Sequence, residues 1–440
     1  MDKNYIIDKY FISKDNPAWT ICDSVCWDAK NLYNQANYIV RNHYFTSGTY
    51  LNYNSVQKNL QIDKDSSYHK MQAKVAQAVL RELDKSWIGY FAAKKSFFKD
   101  KSKFNGKPKV PGYKDIKHGR KSVNFNIQAI SKKFLNKGLL KLSGLDFTIK
   151  LRLTESIDSD GVVSYHPRPN LKEVSILPHN DGYLIVAKHL EANTNSSVTE
   201  GHWAGVDLGI NNLAAIATTN KDASSYLING KPLKSMNAYY NKKLARLRSE
   251  LDTNKTKRGK KRIKSKIQKL SRKRQFKVNH YLHVVSNMLV NQLVSNGVTN
   301  LVIGKNDGWK QETNIGKVNN QNFVNIPHAR FIEMIKYKWE KTGRIFKTTN
   351  ESYTSKCSFL DLEEICKHDT YKGQRVKRGL FVSSQSHKIN SDINGAGNIL
   401  RKVIKNAWSS WTQEDLIQGF VVSPVRLTAN EFHKKLQPKN

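Results

Sequence analysis

Two aspartates stand where carboxylates can serve as metal ligands. Asp207 closes an otherwise apolar run, AGVDLG, and Asp392 opens the stretch DINGAGNIL. Hydrolysis of a phosphodiester by paired Mg²⁺ ions needs carboxylates from separate parts of a chain, because the metals lie roughly 3.5–4 Å apart and clamp both the attacking and the leaving oxygen. Magnesium is a hard cation that takes oxygen, so Asp and Glu are the side chains this chemistry requires. An ionised Asp is costly inside an apolar strand, whereas at a strand end beside Gly209 it can project into a cleft. Asp392 suits the positive end of a helix dipole, and Gly395, Ala396 and Gly397 would let that helix approach a sheet closely. Taken singly, each residue has a plainer reading: Asp207 as a turn former and Asp392 as an N-cap.

The elements that would position these residues alternate between strand and helix. Residues 203–218, WAGVDLGINNLAAIAT, read as strand, turn and strand. NLVIG (300–304) is a strand, PHARFIEMIKYKWEKTG (327–343) a helix, RIFKTTNE (344–351) a strand ending in Glu351, and INGAGNILRKVIKNAW (393–408) a helix. The first half differs. Residues 22–100 carry apolar side chains at helical spacing, whereas 121–190 show strand periodicity in FTIKLRL (147–153), VSIL (174–177) and YLIVAKHL (183–190). Short strands with turn signals predict a small antiparallel barrel or sandwich, to which the N-terminal YIIDKYFIS adds a strand. The polar tail after about residue 418 reads as poorly ordered.

Charge identifies the partner class. The 440 residues hold 74 Lys or Arg against 36 Asp or Glu, a net charge of +38. Such an excess opposes compaction and fits a polyanion, for which nucleic acid is the obvious source. No run of apolar residues is long enough to span a membrane, and the N-terminus lacks the apolar core of a signal peptide. Four cysteines are too few for a disulfide framework and suit a reducing compartment. The charge is concentrated in two places. KKSFFKDKSKFNGKPKVPGYK, with Gly106, Pro108, Pro111 and Gly112, is an extended basic connector. Residues 234–296 read as a helical hairpin broken near 253–259, and within 241–280 there are 17 Lys or Arg against Glu250 and Asp252. The expected phosphate contacts are Lys107, Lys109 and Lys114 in the connector, and Arg246, Lys257, Arg258, Lys261, Arg262, Lys266, Lys273 and Arg274 in the hairpin. Tyr239, Tyr240 and Trp309 are equally candidates for base stacking and for the core.

Several motifs resemble one family. GVDLGINNLAAIAT is similar to the first RuvC motif of TnpB proteins, G-[IV]-D-x-G-[IV]-x-x-[LF]-A, and NSDINGAGNILRK to their third, N-A-D-x-N-A-A-x-N-I. ESYTSKCS resembles the segment entering their zinc finger, YNKKLARLRSEL and YKWEKTG resemble the intervening helices, and GKPKVPGYK resembles their linker. The resemblance spans nearly the whole chain and is weakest over the first hundred residues and the tail. It implies α/β architecture with added β-barrel and helical domains: a bilobed protein with a ribonuclease-H-like (RuvC) nuclease domain. A wedge β-barrel would comprise 1–20 and 103–199, a helical recognition domain 21–102, and the nuclease 200–415, with a helical insertion at 232–298 and a degenerate zinc-finger or target-loading loop at 354–388, followed by a tail at 416–440. It implies an RNA-guided, Mg²⁺-dependent endonuclease in which Asp207 and Asp392 are metal ligands of a two-metal site. The partners would be a guide RNA from a transposon end and double-stranded target DNA cut beside a short adjacent motif. The expected setting is the cytoplasm of a prokaryote at the nucleoid, with a monomer preferred over a dimer.

Two departures bear on the chemistry. The family's second motif closes a strand with glutamate, I-V-x-E, and here Gly304 stands in that place. Glycine offers no side-chain ligand, so either the site is inactive or another acid substitutes. Glu351 is the expected substitute and third metal ligand, because its strand should lie beside the one carrying Gly304, roughly 4.7–4.9 Å away. Asp307 is the runner-up and Glu312 a weaker alternative. In the loop between the second and third motifs only Cys357 and Cys366 occur, and Ser383 and Ser384 fill the second pair's place. Four zinc ligands at structural spacing are absent. His368 and His387 are the local supplements, and no zinc is expected. The competing readings are a nuclease-inactive RNA-guided repressor, a compact type V CRISPR effector and a DNA-strand transferase.

Overall fold

Apolar alternation builds an antiparallel sheet covered by helices in the first half, and near-continuous apolar strands build a sheet buried on both faces in the second. The computed structural model describes residues 5–157, 163–179, 181–191, 198, 200–305, 326–421 and 423–428. Asp307, Trp309 and Glu312 lie outside the described residues. The chain divides into two compact units, Met1–Asn193 and Thr194–Asn440.

The first unit runs β1 (Tyr5–Ser13), α1 (Ala18–Ser47), α2 (Tyr53–Ile62), α3 (Ala73–Lys99), β2 (Val123–Asn126), α4 (Lys132–Leu135), β3 (Leu139–Lys141), β4 (Thr148–Lys150), β5 (Leu153–Ile157), β6 (Val163–Pro167), β7 (Leu171–His179) and β8 (Gly182–Leu190). Its main sheet has the order β1-β8-β7-β2, antiparallel throughout, and β3-β4 and β5-β6 form separate two-stranded ribbons. The expected barrel is therefore not closed among the described residues. β2 has four residues against nine in each of β1, β7 and β8. Helices seal one face without closure: Cys22, Cys26, Leu83 and Trp87 pack in one core with Phe125, Val174, Ile176 and Ile185. An antiparallel sheet can leave its other face to solvent. The single strand expected at 147–153 is split in two. The Leu151 amide turns to donate to the Gly138 carbonyl at 2.9 Å, and the Arg152 amide to the Tyr10 hydroxyl at 3.0 Å.

The second unit runs β9 (His202–Leu208), β10 (Asn212–Thr218), β11 (Tyr226–Asn229), α5 (Lys231–Thr253), α6 (Lys257–Ser295), β12 (Val298–Gly304), α7 (His328–Glu340), β13 (Ile345–Thr349), β14 (Gln374–Lys377), β15 (Leu380–Val382), β16 (Lys388–Asn390), α8 (Ser391–Val403), α9 (Gln413–Val421) and β17 (Val425–Leu427). Six strands form one sheet in the order β13-β12-β9-β10-β11-β17. β9, β12 and β13 are parallel, whereas β9-β10-β11 are antiparallel neighbours. A three-stranded sheet, β14-β15-β16, precedes α8.

The large sheet has a core on each face. Ala204, Val206 and Leu208 pack with Val285, Leu289, Phe331 and Trp339 of α6 and α7. Ala215, Ala217 and Val302 pack with Ile393, Ala396, Ile399 and Leu400 of α8. Alternation along β9 thus puts Gly205 and Asp207 on the α8 face. The small residues there are needed: a Cβ on Gly205 would lie 2.3 Å from the Ala396 carbonyl oxygen.

Three element boundaries differ from expectation. β13 stops at Thr349, so Glu351 lies just past the strand rather than closing it. The helix expected to reach residue 408 ends at Val403, where Ile404 turns extended. Of the tail expected to be poorly ordered after about 418, the described part completes α9 and forms β17, which joins the sheet parallel to β11, and residues 429–440 lie outside the described residues. Leu416 and Phe420 are buried against Phe359, Trp408 and Trp411, and that aromatic cluster holds the segment down.

Candidate active site

The parallel pairing of β9, β12 and β13 brings their C-terminal ends to one edge. Val206 pairs with Ile303, and Gly304 pairs with Thr349. Asp207 follows Val206 and faces α8. Its Oδ2 lies 2.6 Å from where a Cβ on Gly395 would stand, so that glycine is required by the carboxylate below it. Asp392 sits in the first turn of α8. Asn390 caps that helix through its Oδ1, which accepts from the amides of Asp392 at 3.0 Å and Ile393 at 3.3 Å. Asp392 Oδ2 accepts from Asn212 Nδ2 at 2.7 Å, and its Oδ1 lies 3.7 Å from the Arg375 guanidinium.

Glu351 completes the edge. A Cβ on Gly304 would lie 3.5 Å from the Glu351 Cβ. The space beside Gly304 is therefore bordered by Glu351 itself, and by Ile399, whose Cδ1 would lie 2.6 Å from that Cβ. The turn carrying Glu351 is fastened to the helix carrying Asp392. Asn398 Nδ2 donates to the Thr354 and Cys357 carbonyls at 3.0 and 2.8 Å, Asn394 Nδ2 to the Cys357 carbonyl at 2.9 Å, and Lys402 Nζ to the Ser352 carbonyl at 2.9 Å. Both asparagines are fully buried.

The electrostatics follow from this crowding. Burial first, then the negative charges of Glu351 and Asp392, push the Asp207 carboxyl well above the usual carboxylate range, and Arg375 opposes them. Burial raises Glu351 to about 7, with Lys402 acting in the opposite direction. Burial thus favours the protonated forms of Asp207 and Glu351. The donors are oxygens only, as a hard divalent ion requires. Among the described residues, no group of three or more His, Cys, Asp or Glu side chains stands close enough together to hold a metal ion.

Sequence reasoning missed Asn212, Arg375 and the α8 ladder. A signal for the ladder was present: Asn390, Asn394 and Asn398 recur every four residues, and asparagine is a poor helix former unless its amide has a partner.

The loop leading to α8 is held by carboxylates. Asp361 accepts from the Ser384 amide at 2.9 Å and its hydroxyl at 2.6 Å, while Glu363 accepts from the amides of Ser358 at 2.7 Å and Lys372 at 2.8 Å. Cys357 is buried, and its Sγ approaches the Cys366 carbonyl at 3.6 Å. Cys366 Sγ lies 3.3 Å from His368 Nε2.

The basic residues fall in both units. On α6, Lys257, Arg258, Lys261, Arg262, Lys266 and Lys273 are exposed. Arg274 differs: it is half-buried, donates to Asn237 Oδ1 at 2.7 Å and lies 4.9 Å from the centre of the Tyr240 ring, so it ties α6 to α5. Arg246 pairs with Glu250 one turn along at 3.2 Å. Tyr239 is exposed, whereas the Tyr240 hydroxyl bonds Ser271 at 3.0 Å. Lys107, Lys109 and Lys114 are exposed in the first unit. Among the described residues, no helix is long and apolar enough to cross a membrane.

Comparison with known proteins follows the same division. Residues 188–310 match a family model described as a probable transposase (OrfB of IS605), and residues 328–399 match the Cas12f1-like TNB domain. A TnpB-like protein, ORF457 of Acidianus two-tailed virus, is 24% identical over 207 residues, covering 46% of this chain and 42% of that protein. The match therefore spans less than half of the viral protein's length. Among solved structures, a Cas12f1–sgRNA–target DNA complex aligns over 86% of this chain and 82% of its own, at 13% identity and a TM-score of 0.49. The mini-RNA-guided endonuclease CRISPR-Cas_phi3 aligns over 91% and 92%, at 10% identity and a TM-score of 0.49. The two family models meet the chain in the order of its own motifs, the first over Asp207 and the second over Glu351 and Asp392.

Proposed function

We propose that the protein is an RNA-guided DNA endonuclease, with Asp207, Glu351 and Asp392 as the acidic residues of a magnesium-dependent, RuvC-like site. The observation that carries this reading is that Glu351 borders the space a side chain at Gly304 would fill, while the charges of Glu351 and Asp392 both act on the Asp207 carboxyl. The strand order β11-β10-β9-β12-β13, with the last three parallel, supports a ribonuclease-H-like domain.

Within that reading the chain's own residues have distinct duties. Asp207 and Asp392 present oxygens from a strand end and a helix start. Glu351 supplies the carboxylate that Gly304 lacks. Asn212 holds one Asp392 oxygen and Arg375 lies beside the other. Bound Mg²⁺ would lower the pKa of a water and stabilise charge on the phosphate. Specificity would come from base pairing of a transposon-end guide RNA, while the protein reads backbone and a short motif beside the target. The exposed lysines and arginines of α6 would hold phosphates.

The test is cleavage of a matching DNA duplex by the protein with its own RNA and Mg²⁺. Wild type cuts; Asp207→Asn and Glu351→Ala each lose roughly 10³-fold or more, several kcal/mol of transition-state stabilisation. Retained cutting by Glu351→Ala would overturn the substitution and direct attention to Asp307 and then Glu312. A second reading, an RNA-guided DNA-binding repressor without nuclease activity, is favoured by Gly304. It requires a wild-type protein that binds the duplex and never cuts it.

A further inference from the structure

Lysine-rich segments repel themselves, yet part of the basic connector is laid along α1 by bonds to its main chain. The Lys121 amide donates to the Cys26 carbonyl at 3.0 Å. Lys30 Nζ donates to the Ile116 carbonyl at 2.8 Å. Asn34 donates to the Lys114 carbonyl at 2.9 Å and accepts from the Lys114 amide at 2.8 Å. Asn37 and Arg41 donate to the Pro111 carbonyl at 3.0 and 2.9 Å. These α1 positions recur every three or four residues, the spacing of one helix face. The strap therefore runs antiparallel to α1, fixed by its backbone.

That mode of anchoring leaves the side chains outside. Lys107, Lys109, Lys114 and Lys117 are exposed, and among the described residues none of Lys107, Lys109 and Lys117 makes an ion pair. Beside them is a platform of rings. Tyr38, Arg41 and Phe45 share a face of α1, and Phe45 is 64% and Tyr113 48% exposed. The Arg41 guanidinium lies 5.7 Å from the Phe45 ring centre and 5.1 Å from that of Tyr113. Its bond to the Pro111 carbonyl fixes it between strap and helix. Single exposed rings are ordinary, whereas rings grouped on one face mark an interaction surface.

We propose that this strap and platform bind an unpaired stretch of nucleic acid, with phosphates on Lys107, Lys109 and Lys114 and bases stacked on Tyr113 and Phe45. Exposed cations beside exposed π-faces are what a single strand needs, and a duplex keeps its base faces covered. The site is in the first unit and uses none of the acidic residues, so it stands whether or not the second unit cuts DNA.

The experiment measures binding of the RNA-free full-length protein to a labelled single-stranded RNA oligomer and to a duplex of equal length. A 2-aminopurine base in the single strand reports stacking. Phe45→Ala and Tyr113→Ala should each weaken single-strand binding by roughly 5- to 150-fold, the range for losing one stacked base. They should relieve the 2-aminopurine quenching, spare duplex binding and leave the salt slope unchanged. Tyr113→Phe should behave as wild type. Neutralising Lys107, Lys109 and Lys114 together should flatten the slope of log K against log salt by roughly 2, at about 0.7 per phosphate. The proposal fails if both alanine variants bind the single strand like wild type. It also fails if they weaken single strand and duplex alike with quenching intact, which would assign the rings a merely structural role. Loss of cleavage in Asp207→Asn with this binding unchanged would separate the two sites.

Discussion

Two regions of the second unit depart from the TnpB motifs that the sequence resembles, and different side chains stand at each departure. At the sheet edge, Gly304 lacks a carboxylate and Glu351 stands against the vacated space. In the loop before α8, Ser383 and Ser384 stand where a second cysteine pair is expected, and Asp361 and Glu363 hold the backbone through amide and hydroxyl hydrogen bonds. A catalytic ligand must put negative charge at one place, so only another acid from a neighbouring element can replace it. A structural cross-link need only restrain the main chain, and hydrogen bonds to carboxylates do that without metal. The sheet edge should therefore be intolerant of change in position and charge, while the loop should tolerate change at a modest cost in stability.

The largest expected effect tests the edge directly. Glu351→Ala should lose roughly 10³-fold in cleavage rate, and adding Gly304→Glu should return part of it by placing a carboxylate on the adjacent strand. Ile399 Cδ1 occupies that path at 2.6 Å from a Cβ, so the rescue should improve when Ile399→Val is included. Failure of the triple variant to exceed Glu351→Ala, with its fold intact by circular dichroism, would mean the two positions do not serve one site.

Positioning comes next. Asn212 donates to Asp392 Oδ2 at 2.7 Å. Asn212→Ala should weaken apparent Mg²⁺ affinity by roughly 10- to 100-fold, as loss of a group orienting a metal ligand does. Raising Mg²⁺ should recover most of the rate. A rate deficit that no Mg²⁺ concentration corrects would show that Asn212 does something other than orient the ligand.

The loop should respond more weakly. Asp361→Asn removes a charged acceptor from two bonds and should destabilise the protein by about 1–3 kcal/mol, visible as a lower melting temperature, while cleavage at low temperature stays within roughly tenfold of wild type. A zinc chelator should leave the melting temperature unchanged. A large chelator-induced drop would mean that Cys357 and Cys366 take a metal and that the carboxylate bonds are secondary.

How much of this was legible in the sequence depends on the range of the interaction. Asp207 and Asp392 were visible because a charged residue at the end of an apolar strand, or opening a small-residue helix, breaks a local pattern. The β12–β13 neighbourhood was inferred from order alone, and the strand bearing Glu351 was drawn two residues too long because TTNE carries no stop signal stronger than Asn350. The order at the start of the tail is not legible because its polar composition hides Leu416 and Phe420, whose partners Phe359, Trp408 and Trp411 come from other segments. The strap on α1 could not be read at all. Side-chain donors pairing with a distant main chain leave no periodicity in the accepting segment, and its prolines and glycines suggested only an irregular linker.

The smallest expected effect concerns pH and distinguishes the two regions once more. Burial raises Glu351 from 4.5 to about 7. Between those values the unfolded chain is ionised at this position and the folded one retains its proton. The folded state therefore binds more protons, and stability falls as pH rises through that interval. Without divalent ions, the melting temperature of wild type should drop between pH 4.5 and 7 relative to Glu351→Gln, by a few degrees at most. Mg²⁺ binds the ionised form, so adding it should release protons below pH 7 and cancel the drop. The loop carboxylates sit among hydrogen-bond donors rather than one another's charge, so Asp361→Asn should shift stability without changing this pH difference. If the wild-type and Glu351→Gln curves run parallel with and without Mg²⁺, Glu351 is not the buried proton-holding acid of the edge, and the contrast between the two regions loses its electrostatic basis.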